Sequence, residues 1–313
     1  MKVALCFIIN YEHILNKEEL WRDWIEPNED IINVYFYYKD FSKIKSPWIR
    51  QHTIPPSHIF ETSYYYVIPA YISILEFAMH HDRANKWFCM LTDSCCPIIS
   101  PKRFRYLFFK HHNFSLLSWK PAWWNPFFHK RGNLAKLPKE LWLANDPWFI
   151  LTRESVSQVM DFIDHEKTLT RVICDGGLAN ETLFAVIFKY NQLLDYKYSN
   201  IKSVVTHIAD WRRMSSGTSP HVFKNVVAED KQFIERELER NECCVFIRKV
   251  APEFPDEFLK HYIYEYNKEK DEKLIIQDEQ KKRINYLLYL FGVLFCVYHL
   301  YYWAACVVGI TLH

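Results

Sequence analysis

Glu181 is a single carboxylate at the head of an apolar run, in "DGGLANETLFAVIF" at 175–188. A loop with two glycines delivers it to the edge of what must be a buried element, because Leu183 to Phe188 offers no polar side chain. Two chemistries fit a carboxylate so placed. It is a general base held at the lip of a cleft, or it is an acid complementing the dipole of a helix's first turn. Asp93 and Ser94 in "LTDSCCP" form a second polar point, where an apolar strand-like run ends and a helix is expected to begin. Open α/β sheets bind ligands at the carboxyl ends of their strands.

The elements that must position these groups follow from hydrophobic patterning. Apolar runs at Val3–Ile9, Ile31–Tyr37, Trp87–Thr92, Phe114–Trp119, Val204–Ile208 and Cys244–Arg248 read as strands. Between them, Ile68, Ile72, Leu75 and Met79 recur at helical spacing, as do Val156, Val159, Met160 and Ile163. Thr152 supplies half a capping signal for the second of these helices. Strand and helix alternating in this way predict an α/β fold around a mainly parallel sheet. The segment "SWKPAWWNPFFHKRGNLAKLP" keeps no clean period and reads as a long surface insertion.

Composition limits the functional classes. Of 313 residues, 50% are hydrophobic and 17% aromatic, enough for a packed globular core. The net charge is +2 without a basic block, which argues against a nucleic-acid binder. The nine cysteines show neither CxxC nor zinc-finger spacing, and read as small buried hydrophobes in a reducing compartment. The opening "MKVALCFIIN" lacks a small-residue cleavage site and reads as a first buried strand.

At the other end, Ile284 to Leu312 holds tyrosines and His299 as its only ionisable side chains of note. A bilayer span takes about 20 such residues, and a soluble helix of this length would carry a polar face. The segment reads as a transmembrane helix, against the alternatives of a buried terminal helix or an interfacial hairpin. Lys281, Lys282 and Arg283 precede it and no basic residue follows until the terminal His313. Positive-inside bias then gives a tail-anchored protein with its large domain in the cytosol. The expected layout is a domain over 1–260, a charged helical stalk over 261–283 and the span over 284–312.

Five blocks carry a family resemblance. "KWFCMLTDSCCPIISPKRF", "NDPWFILTRESVSQVM", "ANETLFAVIF", "HIADW" and "CCVFIRKVAPEF" occur in order. In that order they resemble segments of the core-2/I-branching N-acetylglucosaminyltransferases, their plant relatives and the peptide xylosyltransferases. The resemblance extends from Val3 to about Phe258 and leaves out the stalk and tail. It implies a GT-A-type nucleotide-sugar-binding fold and an inverting transfer, most readily of GlcNAc from UDP-GlcNAc, to a hydroxyl of a glycan or glycoprotein acceptor. UDP-xylose or UDP-glucose is the alternative donor.

The resemblance also implies roles. Glu181 falls on the family's catalytic base, although Ala179 and Asn180 stand where the family has Pro and Asp. Arg248 and Lys249 fall on its Arg-Lys-Phe motif, whose lysine helps to neutralise the departing UDP without a metal. The chain contains no Asp-x-Asp, the usual metal-holding signature of GT-A enzymes. No metal or other cofactor is therefore expected, the cationic pair supplying the charge a metal would bring. The alternative for the pair, placed second because of the family match, is two solvated charges ending a strand. Arg212 and Arg213 either add to the clamp or face solvent. Asp93 and Ser94 would meet the donor sugar. Trp148 and Arg153 would flank the acceptor, though a Trp is as readily buried in the core. The rival to an enzyme is a catalytically silent, membrane-tethered glycan- or nucleotide-binding relative.

Overall fold

The computed structural model describes residues 1–308 except 10, 64, 126, 195–198 and 267, and leaves undescribed the side chains of 128, 129, 270, 274, 275, 277–279, 281, 282 and 305–308. The chain divides into one unit over Met1–Glu265 and a second over Tyr266–His313.

The first unit is mixed α/β. Its strands are β1 (Lys2–Ile8), β2 (Ile32–Tyr37), β3 (Asn85–Thr92), β4 (Cys96–Pro97), β5 (Ser115–Leu116), β6 (Trp119–Pro121), β7 (Leu143–Asn145), β8 (Ile150–Thr152), β9 (Ile201–Lys202), β10 (His207–Ala209) and β11 (Phe246–Arg248). Its helices are α1 (Glu18–Ile25), α2 (Pro47–Gln51), α3 (Ile68–His81), α4 (Pro101–His111), α5 (Arg153–His165), α6 (Lys167–Cys174), α7 (Leu183–Tyr190), α8 (Ala228–Arg240) and α9 (Asp256–His261).

A six-stranded sheet runs in the order β2-β1-β3-β8-β5-β9. β1 lies parallel to both neighbours, with Val3 opposite Ile32 on one side and Trp87 on the other. Val3 through Phe7 are all at 0% exposure, as a central strand covered on both faces requires. β5 and β9 are also parallel, whereas β8 runs antiparallel to β3 and β5. The sheet is thus mainly parallel, with one reversed strand near its middle. A smaller sheet, β10-β11-β4, pairs β10 with β11 in parallel and β11 with β4 antiparallel.

The apolar run after Glu181 is a helix, α7, with Leu183 through Phe188 fully buried. Each of these side chains except Ala185 contributes about 1.5–3 kcal/mol relative to an exposed one. Thr152 caps α5, its hydroxyl accepting from Ser155 N–H at 3.2 Å. The aromatic middle segment lies at the surface in its first half, with Trp123 and Phe127 exposed, and departs from the surface-insertion reading in its second. It contributes β6 and a 3-10 helix over Phe128–Lys136, and buries Leu134 and Leu137 in the same core as α7. A 3-10 helix repeats every three residues, so the segment shows neither the strand period nor that of an α-helix. The expected strand over Phe114–Trp119 is two short strands, β5 and β6, that belong to different sheets.

Among the described residues, the second unit contains one helix, α10, over Lys268–Val308, which joins the stalk and the apolar segment without a break. Within it, Arg283–Ala304 is a 22-residue stretch of mean hydropathy 1.5, long and apolar enough to cross a membrane. Of the basic cluster, the side chains of Lys281 and Lys282 lie outside the described residues, as does the end of the expected span at Leu312.

Candidate functional site

Arg248 is the last residue of β11 and is only 4% exposed. Its Cζ lies 3.1 Å from the centroid of the half-buried Trp148 ring, so the guanidinium rests face-on against the indole. Its Nε and Nη1 atoms are buried and make no hydrogen bond among the described residues. Burial pushes the Arg248 pKa down, while Cys95, Tyr71, Asp93 and Asp146 pull it up. A buried cation with uncommitted donors costs stability unless an anion completes it. Lys249 follows at once. Its Nζ donates to Ser219 Oγ at 2.7 Å, and burial followed by the Arg248 charge lowers its pKa.

The loop after β3 meets this strand end. Val250 N–H donates to the Ser94 carbonyl at 2.9 Å, and the Asn16 side chain donates to the Val250 carbonyl at 2.8 Å. Asn16 N–H in turn donates to the Asp93 carbonyl at 2.9 Å. Three distant segments are therefore stitched where β3 and β11 end, and the Asp93 charge acts on both Arg248 and Lys249.

Glu181 sits in a 3-10 turn, Ala179–Glu181, immediately ahead of α7. The glycine loop before the turn is shaped by contact as well as by flexibility. A Cβ on Gly176 would fall 2.4 Å from the Lys130 carbonyl oxygen and 2.5 Å from Asn133 N. Gly132 N–H donates back to Gly177 O at 3.0 Å. This close approach brings Arg131 Nη1 to 3.5 Å from Glu181 Oε2. The Glu181 carboxyl is raised above its ordinary value, chiefly by burial and further by Asp146, with Arg131 and Arg248 opposing.

Asn145, at the end of β7, positions that turn. Its Nδ2 donates to the Asn180 carbonyl at 2.9 Å, and its Oδ1 accepts from Ala185 N–H at 3.1 Å. Asp146 follows, its carboxyl raised by burial while Ser118, Lys120 and Arg248 hold it down. Two partly desolvated carboxylates, Glu181 and Asp146, thus share the field of one buried guanidinium. Both are raised by burial, the kind of perturbation found at proton-transfer sites.

The remaining expected residues are placed differently. Arg153 is turned into the frame: Nη1 donates to the Asp82 and Asn85 carbonyls at 3.3 and 3.2 Å, and Nη2 donates to Met79 O at 2.6 Å. It closes the carboxyl end of α3, the role a basic residue takes at a helix terminus. Arg213 spans Asp210 at 2.6 Å and the fully buried Asp230 at 2.7 Å, so its charge is already matched. The Arg212 side chain is exposed. The residues brought together are therefore Arg248, Lys249, Asp93, Ser94 and Trp148, with Glu181 joined to them through the Arg248 field. No protein-family model and no curated protein matches the chain.

Arg131, Asn145 and Asp146 were not singled out by sequence reasoning. Arg131 reaches Glu181 across 50 positions from a segment without period, and nothing in the sequence points to it. Asn145 and Asp146 did carry a signal, because they open the "NDPWF" block that also supplies Trp148.

Proposed function

We propose that the first unit is an inverting, metal-independent glycosyltransferase with a GT-A-type site, using a UDP-sugar, foremost UDP-GlcNAc. The observation that carries this reading is the buried Arg248 guanidinium with uncommitted donors, next in sequence to Lys249 and sharing its field with the desolvated Glu181 carboxylate. A diphosphate supplies the anion that such a pair lacks. Trp148 covers one face of the guanidinium, and a phosphate reaching the buried Nε and Nη1 would have to displace what now covers them.

In this reading the acceptor hydroxyl attacks the anomeric carbon from the face opposite the UDP. Glu181 accepts the hydroxyl proton as the new C–O bond forms. The bond from the anomeric carbon to the β-phosphate oxygen breaks, its electron pair leaving with UDP, and Arg248 and Lys249 stabilise that charge. Configuration at carbon inverts because displacement is direct. Asp146 keeps the Glu181 proton affinity high, and Asn145 keeps the turn in place.

The reading extends to topology. The apolar helix anchors the chain by its carboxyl end, and the basic cluster before it holds the catalytic unit in the cytosol. A glycan or glycoprotein is the acceptor class.

The test is release of UDP from UDP-GlcNAc, UDP-xylose and UDP-glucose in the presence of EDTA. Donor-dependent release that Glu181→Gln abolishes supports the transferase. UDP binding without release for any donor would favour a silent binding module instead.

A further inference from the structure

We propose that His111, Glu242 and Cys243 form a Zn²⁺ site, separate from the residues assigned to transfer. His111 ends α4, and Glu242 and Cys243 lie in the loop joining α8 to β11. One ligand atom from each lies within 4.8 Å of the other two. His111 is 8% exposed, and its Nε2 receives no hydrogen bond although Glu242 Oε1 stands 3.4 Å away. A tetrahedral zinc with bonds of about 2.0–2.1 Å sets its nitrogen and oxygen ligands about 3.3 Å apart. The His111–Glu242 pair already has that separation. Cys243 Sγ lies within 4.8 Å of both, and zinc binding draws it to about 3.6 Å from each.

The donor set is imidazole nitrogen, carboxylate oxygen and thiolate sulfur, which selects zinc over the oxygen-preferring calcium and magnesium. Cys243 gives its thiol proton to solvent as the Zn–S bond forms. Carboxylate and thiolate together then neutralise the metal's charge. Lys110 Nζ lies 3.3 Å from Glu242 Oε1 and 3.2 Å from Oε2, and keeps Oε2 alone once the metal takes Oε1. Glu242 is exposed and leaves the fourth position to water. The site ties the end of α4 to the amino end of β11, whose carboxyl end carries Arg248. Sequence spacing hides it, because His111 is remote from the other two ligands.

The experiment uses the full chain in detergent, stripped with chelator and titrated with Co²⁺ and then Zn²⁺. One equivalent of Co²⁺ should give a thiolate-to-cobalt charge-transfer band that Zn²⁺ displaces. Cys243→Ser and Glu242→Gln should lose the band and weaken Zn²⁺ binding by at least about tenfold, while Cys244→Ser keeps both. Glu242 is exposed, so its variant tests the site without disturbing the core. Absence of the band in the wild type, or its survival in both Cys243→Ser and Glu242→Gln, would overturn the proposal. The readout involves no UDP-sugar, so failure of the transferase reading leaves it standing.

Discussion

Asn145 grips the chain on both sides of Glu181, donating to the Asn180 carbonyl at 2.9 Å and accepting from Ala185 N–H at 3.1 Å. Asn145→Ala leaves a buried donor and a buried acceptor unpaired, each worth about 1–3 kcal/mol. Thermal unfolding should shift down accordingly. If the turn positions a base, kcat should fall more than UDP affinity does. Equal losses in the two would mean that Asn145 serves the fold alone.

Glu181→Gln keeps the side chain's shape but cannot accept a proton. Transfer should drop about 10²–10⁴-fold, with UDP binding by calorimetry nearly unchanged. A variant retaining more than half of the wild-type turnover would remove Glu181 from the mechanism.

The raised Glu181 pKa fixes two pH dependences. Transfer needs the ionised form, so its rate should fall as pH drops through the raised folded value. Stability runs the other way. The folded protein holds this proton more tightly than the unfolded chain does. The group's contribution is therefore full below the unfolded value and declines as pH rises through the folded one. Glu181→Gln should be at least as stable as the wild type at neutral pH, with the difference closing in acid. A variant markedly less stable at neutral pH would contradict this.

Lys249→Ala should weaken UDP binding and slow transfer, and the wild type should need no added Mg²⁺. Loss of activity in EDTA, restored by Mn²⁺ in both the wild type and Cys243→Ser, would replace the cationic clamp with a catalytic metal.

Topology has a reporter in the sequons at Asn113 and Asn180. Asn180 is 8% exposed and makes a poor acceptor, whereas Asn113 is exposed. In the cytosolic orientation neither carries a glycan, and protease reaches the first unit in intact microsomes. A mobility shift on deglycosylation that Asn113→Gln abolishes would place the unit in the lumen.

Some of this arrangement is written locally in the chain. The run Val3–Phe7 marks a strand buried on both faces, and Thr152 announces α5, because both depend on neighbours in sequence. The partners of Glu181 do not. Nothing local distinguishes Arg131 from Lys130, or Arg213, held by Asp230, from the exposed Arg212 beside it. Arg153 lies in one of the most recognisable blocks, yet its donors go to carbonyls around the end of α3. Only the closing of the tertiary structure decides which charge is spoken for.

The pairing of β4 with β11 sets an order of events during synthesis. Ile247 lies opposite Cys96, and the Phe246 ring covers Trp21 and Trp24 at 5.7 and 6.3 Å. At about 5–20 residues per second, the ribosome takes roughly 8–30 s to travel from the first of these strands to the second. Throughout that interval two indoles lack their Phe246 neighbour, and the β4 edge stays unpaired on the nascent chain. Chaperone occupancy should therefore peak while residues 97–245 are being made, and fall once β11 has emerged.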